Sequence, residues 1–238
     1  MARSRLQRLA LSLLRPLWRW RRFGLWSEVL FWHLWARRFR NPSHPHRWLL
    51  DPKRPLSPEI QDLLAASPST PLRILEVGAG PITSMGLVHP ERQVEIVPTD
   101  LLASRYARIL KRHGIEPPLP TVFADAERLT EQFGENRFDL VFATNCIDHT
   151  ADPLRAVRQM VAVTKPGGYV LMYHEVDEAE HQDYAGLHQW NLAEREGRFV
   201  VWNRSRSFDL SALLAPSCMT EAGVRDGLLR VLICKRAA

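Results

Sequence analysis

Arg73–Pro81 reads RILEVGAGP, and this stretch decides the fold. Ile74, Leu75 and Val77 form an apolar run without polar alternation, the mark of a strand buried on both faces. Gly78-Ala79-Gly80 follows at once. Glycines at such a turn let the backbone bend sharply and approach a ligand with no Cβ in the way. One carboxylate, Glu76, sits inside the run, two residues before the first glycine. A strand followed by this kind of turn is how doubly wound α/β proteins hold the adenosyl half of a cofactor.

Outward from this strand, Leu72–Val77, the chain alternates strand-like and helix-like segments. Val94–Thr99 is a second strand, ending at Asp100, and a helix over Leu101–His113 stops at Gly114. Thr121–Ala124 is a third strand, ending at Asp125, and Phe138–Ala143 a fourth. A helix over Asp152–Thr164 has Asp152 as N-cap and Pro153 at its first position. Lys165-Pro166-Gly167-Gly168 turns into a fifth strand, Tyr169–His174. The last third is less regular. Leu187–Leu192 and Arg198–Asn203 read as a β-hairpin around Glu194-Arg195-Glu196-Gly197. A short helix near Leu210–Leu214 and a final strand, Leu228–Cys234, close the domain.

The 238 residues suit one sizeable α/β domain with an extension, which we divide as a helical arm and linker over 1–58 and a catalytic domain over 59–238. Charge is unevenly placed. Residues 1–54 carry 13 Lys+Arg and 2 Asp+Glu, a net of +11, and the remaining 184 carry 19 and 24, a net of −5. An acidic globular part argues against a protein that wraps nucleic acid. Cys146, Cys218 and Cys234 match neither a disulfide framework nor a zinc spacing, so the default is a reducing, cytoplasmic setting.

Leu6, Leu9, Leu13 and Leu17 recur at helical spacing, with Arg5, Arg8, Arg15 and Arg19 on other faces and Trp18 and Trp20 at the end. An amphipathic, Arg-rich helix of this kind suits an anionic membrane surface. Residues 1–24 are thus a candidate peripheral contact with the inner face of a membrane, and no apolar run approaches the ~20 residues needed to cross it. A second helix is expected from Ser27 as N-cap to about Arg40, with Trp32, Trp35 and Phe39 packing over the mouth of the domain. Pro42 to Pro58 is proline-rich and reads as a strap across the surface.

In open parallel sheets, ligands bind beyond the carboxyl ends of the strands. Here Gly78-Ala79-Gly80 follows strand one, Asp100 ends strand two, and Asp125-Ala126-Glu127 follows strand three. Asp100 has the two oxygens that a ribose diol needs, and Asp125 with the Ala126 N–H can read an adenine edge. The series ILEVGAGP, VPTD, ADAERL, FDLVFATNCIDHTADP and KPGGYVLMYHE resembles the class I S-adenosylmethionine-dependent methyltransferases of the type 11 kind. It covers roughly residues 70–175.

That resemblance implies a doubly wound, mostly parallel α/β sheet of seven strands in the order 3-2-1-4-5-7-6, with the seventh antiparallel. The hairpin would be an addition to it. The resemblance also implies S-adenosylmethionine as cofactor. Glu76, Gly78, Ala79 and Gly80 would hold the methionine part, Asp100 and Leu101 the ribose and adenine, Asp125 and Ala126 the adenine edge. Asn145 would lie between cofactor and substrate. More loosely, SEVLFWHLWARR together with GLHQWNL resembles bacterial methyltransferases of surface-polysaccharide pathways.

Methyl transfer to a hydroxyl needs an aligned acceptor and a place for its proton. His149, with Asp148 beside it, is the candidate base, and its usual pKa range suits the task. His174 and His188, with Glu175 and His181, are expected to rim the substrate. They could also bind a divalent cation, as in some sugar O-methyltransferases that the resemblance brings in, but their spacing matches no metal motif, so the expectation is a polar rim and no metal site. The expected reaction is O-methylation of a small molecule or glycan. An NAD(P)-dependent oxidoreductase is the first alternative, but Pro81-Ile82-Thr83 leaves G-x-G-x-x-G without its third glycine. A non-catalytic methyltransferase-like binding protein is the second. A nucleic-acid methyltransferase would have an (N/D)PP(Y/F)-type tetrapeptide where this chain has Asn145-Cys146-Ile147-Asp148.

Overall fold

The computed structural model describes residues 21–237. The helix expected over residues 6–20 lies outside them. Leu72–Val77 (β1) is a central strand. It pairs in parallel with Val94–Asp100 (β2) on one side and Phe138–Thr144 (β4) on the other. Val77 is level with both Thr99 and Ala143. Gly78, Asp100 and Thr144 therefore leave the sheet along one edge. A two-residue strand, Val122–Phe123 (β3), pairs with Thr99 and Asp100 and delivers Asp125 to the same edge.

With Thr164–Glu175 (β5), Cys218–Arg225 (β9) and Leu228–Lys235 (β10), the sheet runs β3-β2-β1-β4-β5-β10-β9. Strand β10 is antiparallel to both neighbours. This is the expected order with its antiparallel seventh strand. Strand order reverses between β1 and β4, where a ligand crevice belongs. The largest boundary shift is in β5, which starts at Thr164 rather than Tyr169, and the remaining strand of the expected seven, given no residues in the sequence, is β9. As an edge strand β9 has Met219, Glu221, Val224 and Arg225 exposed, so it lacks the apolar pattern that reveals a buried strand.

Alternate residues of the central strands feed two cores. Leu75, Val77, Val141 and Ala143 pack on one side with the helix Pro153–Val163, through Val157, Met160 and Val161. Ile74, Leu140, Phe142 and Leu171 pack on the other with Ile60 and Leu64 of the helix Pro58–Leu64. Asp152 caps its helix as expected, accepting from the Arg155 N–H at 3.0 Å. The helix Ala103–His113 ends on left-handed Gly114, with Lys111, Arg112 and His113 in its last turn, where cations suit the helix dipole.

The hairpin is real but starts later than expected. Asn191–Arg195 (β6) pairs with Arg198–Trp202 (β7) through Glu196-Gly197, both at positive φ, and a third strand, Ser207–Asp209 (β8), joins. Residues 187–190 are not part of a strand.

The N-terminal helix of the described residues, Arg21–Phe39 (α1), does not begin at Ser27. Ser27 lies inside it, and its hydroxyl donates to the Gly24 carbonyl at 2.8 Å instead of capping. Val29, Trp32, Trp35, Ala36 and Phe39 pack with Ile82, Tyr106, Ile109 and Leu110, seating α1 on the helix Ala103–His113. Trp32 meets Trp35 and Tyr106 edge to face.

Candidate active site

The crevice at the strand-order reversal is a cleft of about 470 Å³. Its floor is the carboxyl edge of β1, β2 and β4, and its roof is α1 through Glu28, Phe31, Trp32 and Trp35. Glu76, Gly78, Ala79, Gly80, Asp100, Leu101, Asp125, Ala126 and Asn145 all face this one cleft, as does His149. Residues from four separate strand ends therefore share a single pocket.

The turn after β1 is fixed by its neighbours. Gly78 has φ +70°, and a Cβ on it would lie 2.3 Å from Cys146 Cβ, so only glycine fits. The Cys146 thiol in turn donates to the Val77 carbonyl at 3.2 Å and is a packed group, raised in pKa by burial. The Ala79 N–H donates to Thr99 O at 2.9 Å, and the Gly80 N–H to Asp100 Oδ2 at 3.1 Å. Asp100 Oδ1 accepts from the Leu102 N–H at 2.7 Å. Each Asp100 oxygen keeps a further lone pair for a ligand hydroxyl. Burial raises the Asp100 pKa, and these two N–H donors oppose it.

Glu76 is 2 % exposed, and its Oε2 has no hydrogen-bond partner. Burial pushes its pKa up to about 7, against hydrogen bonds from Thr83 and the Ser84 backbone and the charge of Arg54. A buried carboxylate with an unmet oxygen is a seat for a cation. Asp125 Oδ1 accepts from the Glu127 N–H at 2.9 Å, so part of this acid works as a helix cap. Asn145 holds φ +45°, and its Oδ1 accepts from the Glu175 N–H at 2.8 Å. That side-chain oxygen fixes the turn after β4.

The acceptor side departs from expectation. Asp148 is 3 % exposed and sits behind the cleft wall, where its Oδ2 lies 2.7 Å from His188 Nδ1. His149 Nε2 is 3.3 Å from the same His188 nitrogen. The predicted rim is corrected: His174 is buried, and desolvation lowers its pKa to about 4, so it stays neutral behind Asp148 rather than facing a substrate. His188 joins the cluster, while His181 lies on the short helix Glu178–His181 outside it. Trp32 and Trp35 lie over the cleft mouth as expected, whereas Glu28, beside them in the roof, had no local signal marking it as a cleft residue.

The lining has one more property. Glu28, Glu76, Asp100, Asp125 and Glu127 all face the cleft, and among the described residues that line it there is no lysine or arginine. Such a pocket attracts a cationic sulfonium and ammonium and repels the phosphates of a dinucleotide. The residues therefore fit S-adenosylmethionine and disfavour the oxidoreductase alternative.

The family profile described as "Methyltransferase domain" matches residues 75–172. Over 102 residues the chain is 31% identical to a ubiquinone biosynthesis O-methyltransferase of Bordetella avium (strain 197N), covering 41% of this chain and 40% of that protein. Over 99 residues it is 30% identical to phosphoethanolamine N-methyltransferase 2 of Caenorhabditis elegans, covering 42% and 23%. The chain thus spans less than half the length of these curated relatives. Among solved structures, the methyltransferase domain of the citrinin polyketide synthase superposes with a TM-score of 0.50 at 23% identity, covering 75% of this chain and 50% of that one. The trans-methyltransferase CalH, solved with S-adenosylhomocysteine, gives 0.50 at 15% identity, covering 75% and 55%. These two structures agree with the fold. Profile, strand order and acidic cleft converge: residues 75–172 match a methyltransferase domain, the sheet has the strand order expected for the class I kind, and the cleft suits S-adenosylmethionine.

Proposed function

We propose that the protein methylates a hydroxyl oxygen of a small-molecule or glycan acceptor, using S-adenosylmethionine. The acid-lined cleft, with the unmet Glu76 oxygen on its floor, carries this reading. When bound, the cofactor supplies an electrophilic methyl on a sulfonium. Glu76 would hold its ammonium and Asp100 its ribose hydroxyls. Asp125 and Ala126 would frame the adenine, with Gly78, Ala79, Gly80, Leu101 and Asn145 shaping the wall. The α1 roof, through Trp32 and Phe31, covers the cofactor from above.

The acceptor's hydroxyl proton leaves at the Asp148–His149–His188 cluster. His149 faces the cleft, and Asp148 acts through His188 as a positioning residue. Hydroxyl acceptors, rather than amines, are favoured by a proton-handling cluster beside the cleft. The same acidic lining disfavours nucleic acid as acceptor.

We place the protein at the inner face of a membrane. Among the described residues no helix is long and apolar enough to cross one. Trp26, Leu30 and Leu34 recur along one exposed stripe of α1 beside exposed Phe31, in the arm that carries the basic charge. Phe31 also lines the cleft, so an amphiphilic acceptor could enter from that surface.

The test is methyl-labelled S-adenosylmethionine offered with hydroxylated small molecules and glycans and with amines. Label on oxygen supports the reading; label on nitrogen alone overturns the acceptor assignment. In parallel, S-adenosylhomocysteine should raise the Tm while NAD does not. An equal response to both would sink the cofactor assignment.

A further inference from the structure

Three possible ligand atoms from two separate loops lie together beside the cleft. They are Asp148 Oδ2, His149 Nε2 and His188 Nδ1. Their mutual distances are 2.7 Å (Asp148–His188), 3.3 Å (His149–His188) and 3.6 Å (Asp148–His149). A triangle of this size has a point about 2.0–2.1 Å from all three corners, the bond length of nitrogen and oxygen to a first-row divalent metal.

Hydrogen bonding alone leaves the arrangement incomplete. His188 Nδ1 has one proton to give, and Asp148 Oδ2 is the nearer acceptor. His149 Nε2 then faces that same occupied N–H, while Asp148 Oδ2 at 3.6 Å is beyond its own reach. A second observation points the same way. Asp148 is 3 % exposed, and its other oxygen, Oδ1, has no hydrogen-bond partner. The buried carboxylate therefore has acceptor capacity left over beside the two imidazoles, which a cation would use.

The two loops are held in register independently of any ion. Asp148 and His149 sit on the turn Ile147–His149 after β4. The Gln189 N–H, next to His188, donates to the Asp148 carbonyl at 3.3 Å. The side chains of His149 and His188 are 22% and 30% exposed and that of Asp148 is 4%. The third ligand is thus deep and the open side faces the cleft, where His149 lines the wall.

We propose that Asp148, His149 and His188 bind one divalent transition cation, of the zinc, cobalt or manganese type, with its open positions toward the acceptor. Two imidazoles and one carboxylate suit these borderline metals better than calcium or magnesium, which prefer all-oxygen shells. An acceptor hydroxyl reaching the cation loses its proton to cleft water more readily, which is how the cluster would carry out its part in the reaction. That use rests on the methyl-transfer reading; the binding does not.

The untagged full chain, stripped with chelator, is titrated with Co²⁺ followed by its visible d–d absorption, and with Zn²⁺ in competition. One equivalent per chain is expected. His188→Ala and His149→Ala should each weaken binding at least about tenfold, while His181→Ala, outside the cluster, leaves it unchanged. Circular dichroism confirms that each variant is folded, and the Tm shift with S-adenosylhomocysteine is read on the same metal-free samples. Absent stoichiometric binding, or binding undiminished in both cluster variants, overturns the metal site. A retained cofactor shift in that case leaves the methyltransferase reading standing; a lost shift with metal still bound does the reverse.

Discussion

The backbone N–H of Gly80 donates to Asp100 Oδ2 at 3.1 Å. The glycine turn after β1 and the acid that ends β2 are therefore one hydrogen-bonded unit, though 20 residues separate them. Asp100 is positioned before any ligand arrives, which lowers the ordering cost of binding a ribose diol.

Asp100→Ala removes both the proposed ribose acceptor and the anchor for the Gly80 and Leu102 N–H groups. A hydrogen bond to a charged group is worth about 1.5–3 kcal/mol. S-adenosylhomocysteine should therefore bind roughly 10- to 100-fold more weakly by calorimetry. An unchanged Kd would mean that the ribose lies elsewhere.

Gly78→Ala tests the turn itself. The added Cβ would meet Cys146 Cβ at 2.3 Å, in a backbone with φ +70°. The clash and the left-handed strain together should cost about 2–4 kcal/mol in urea unfolding. Adding Cys146→Gly removes the clashing atom and should recover all but roughly 1 kcal/mol of conformational penalty, beyond its own single-variant cost. Strict additivity of the two changes would show that Cys146 is not what demands a glycine.

The fold was legible wherever burial on both faces wrote a continuous apolar run, as in β1, β4 and β5. Asp100 and Asp125 could be found because each follows a short strand-like segment, although β2 is only partly buried and both residues of β3 are exposed. His188 could not be read as Asp148's neighbour, because 40 residues, including a helix and β5, separate them and no periodicity links the two loops. His174 misled for a related reason. A histidine at the end of a strand reads as polar rim, yet this one is 2 % exposed, with Leu229 of β10 paired beside it in the sheet. Ser27 looked like a cap because serine favours that role. The helix runs through it, since Gly24 and Leu25 have packing partners of their own against Leu187 and the cleft.

Asp139 is a stability test away from the site. It is buried, and accepts from Ser69 Oγ (2.5 Å), Ser67 Oγ (2.7 Å), the Arg73 N–H (2.8 Å) and Lys165 Nζ (2.9 Å). Burial alone would raise its pKa, but these donors outweigh it and hold the carboxyl below its usual value. A depressed acid contributes stability above its unfolded pKa and loses it as pH falls through the folded one. Asp139→Asn should cost about 2–3 kcal/mol at pH 7. The gap to wild type should narrow in acid, below the ordinary aspartate range. A gap independent of pH would assign the loss to packing rather than charge.

The exposed stripe on α1 makes its own prediction. Leu30→Ser with Leu34→Ser removes apolar surface worth about 1 kcal/mol or more per side chain on burial in lipid. Pelleting with anionic liposomes should fall about tenfold or more, and should also weaken in high salt as the basic arm is screened. The Tm shift with S-adenosylhomocysteine should be unaffected. Undiminished pelleting would leave α1 a purely intramolecular cover.

Glu76 gives a pH signature for the cofactor pocket. In the ligand-free chain burial raises its pKa to about 7. The protonated form is therefore the more stable one below that value, and folding stability from this group declines as pH rises from the ordinary glutamate range through 7. A bound ammonium reverses the preference, because it favours the carboxylate. S-adenosylhomocysteine should then bind about tenfold more weakly at pH 6 than at pH 8, since roughly a tenth of Glu76 is ionised at the lower pH. Glu76→Gln keeps the shape, loses the charge, and should bind weakly at both values with little slope. Calorimetry across this range separates the cases. A wild-type affinity that is flat with pH, or a Glu76→Gln variant that keeps the wild-type slope, would place the ammonium away from Glu76 and move the methionine part of the cofactor to another wall of the cleft.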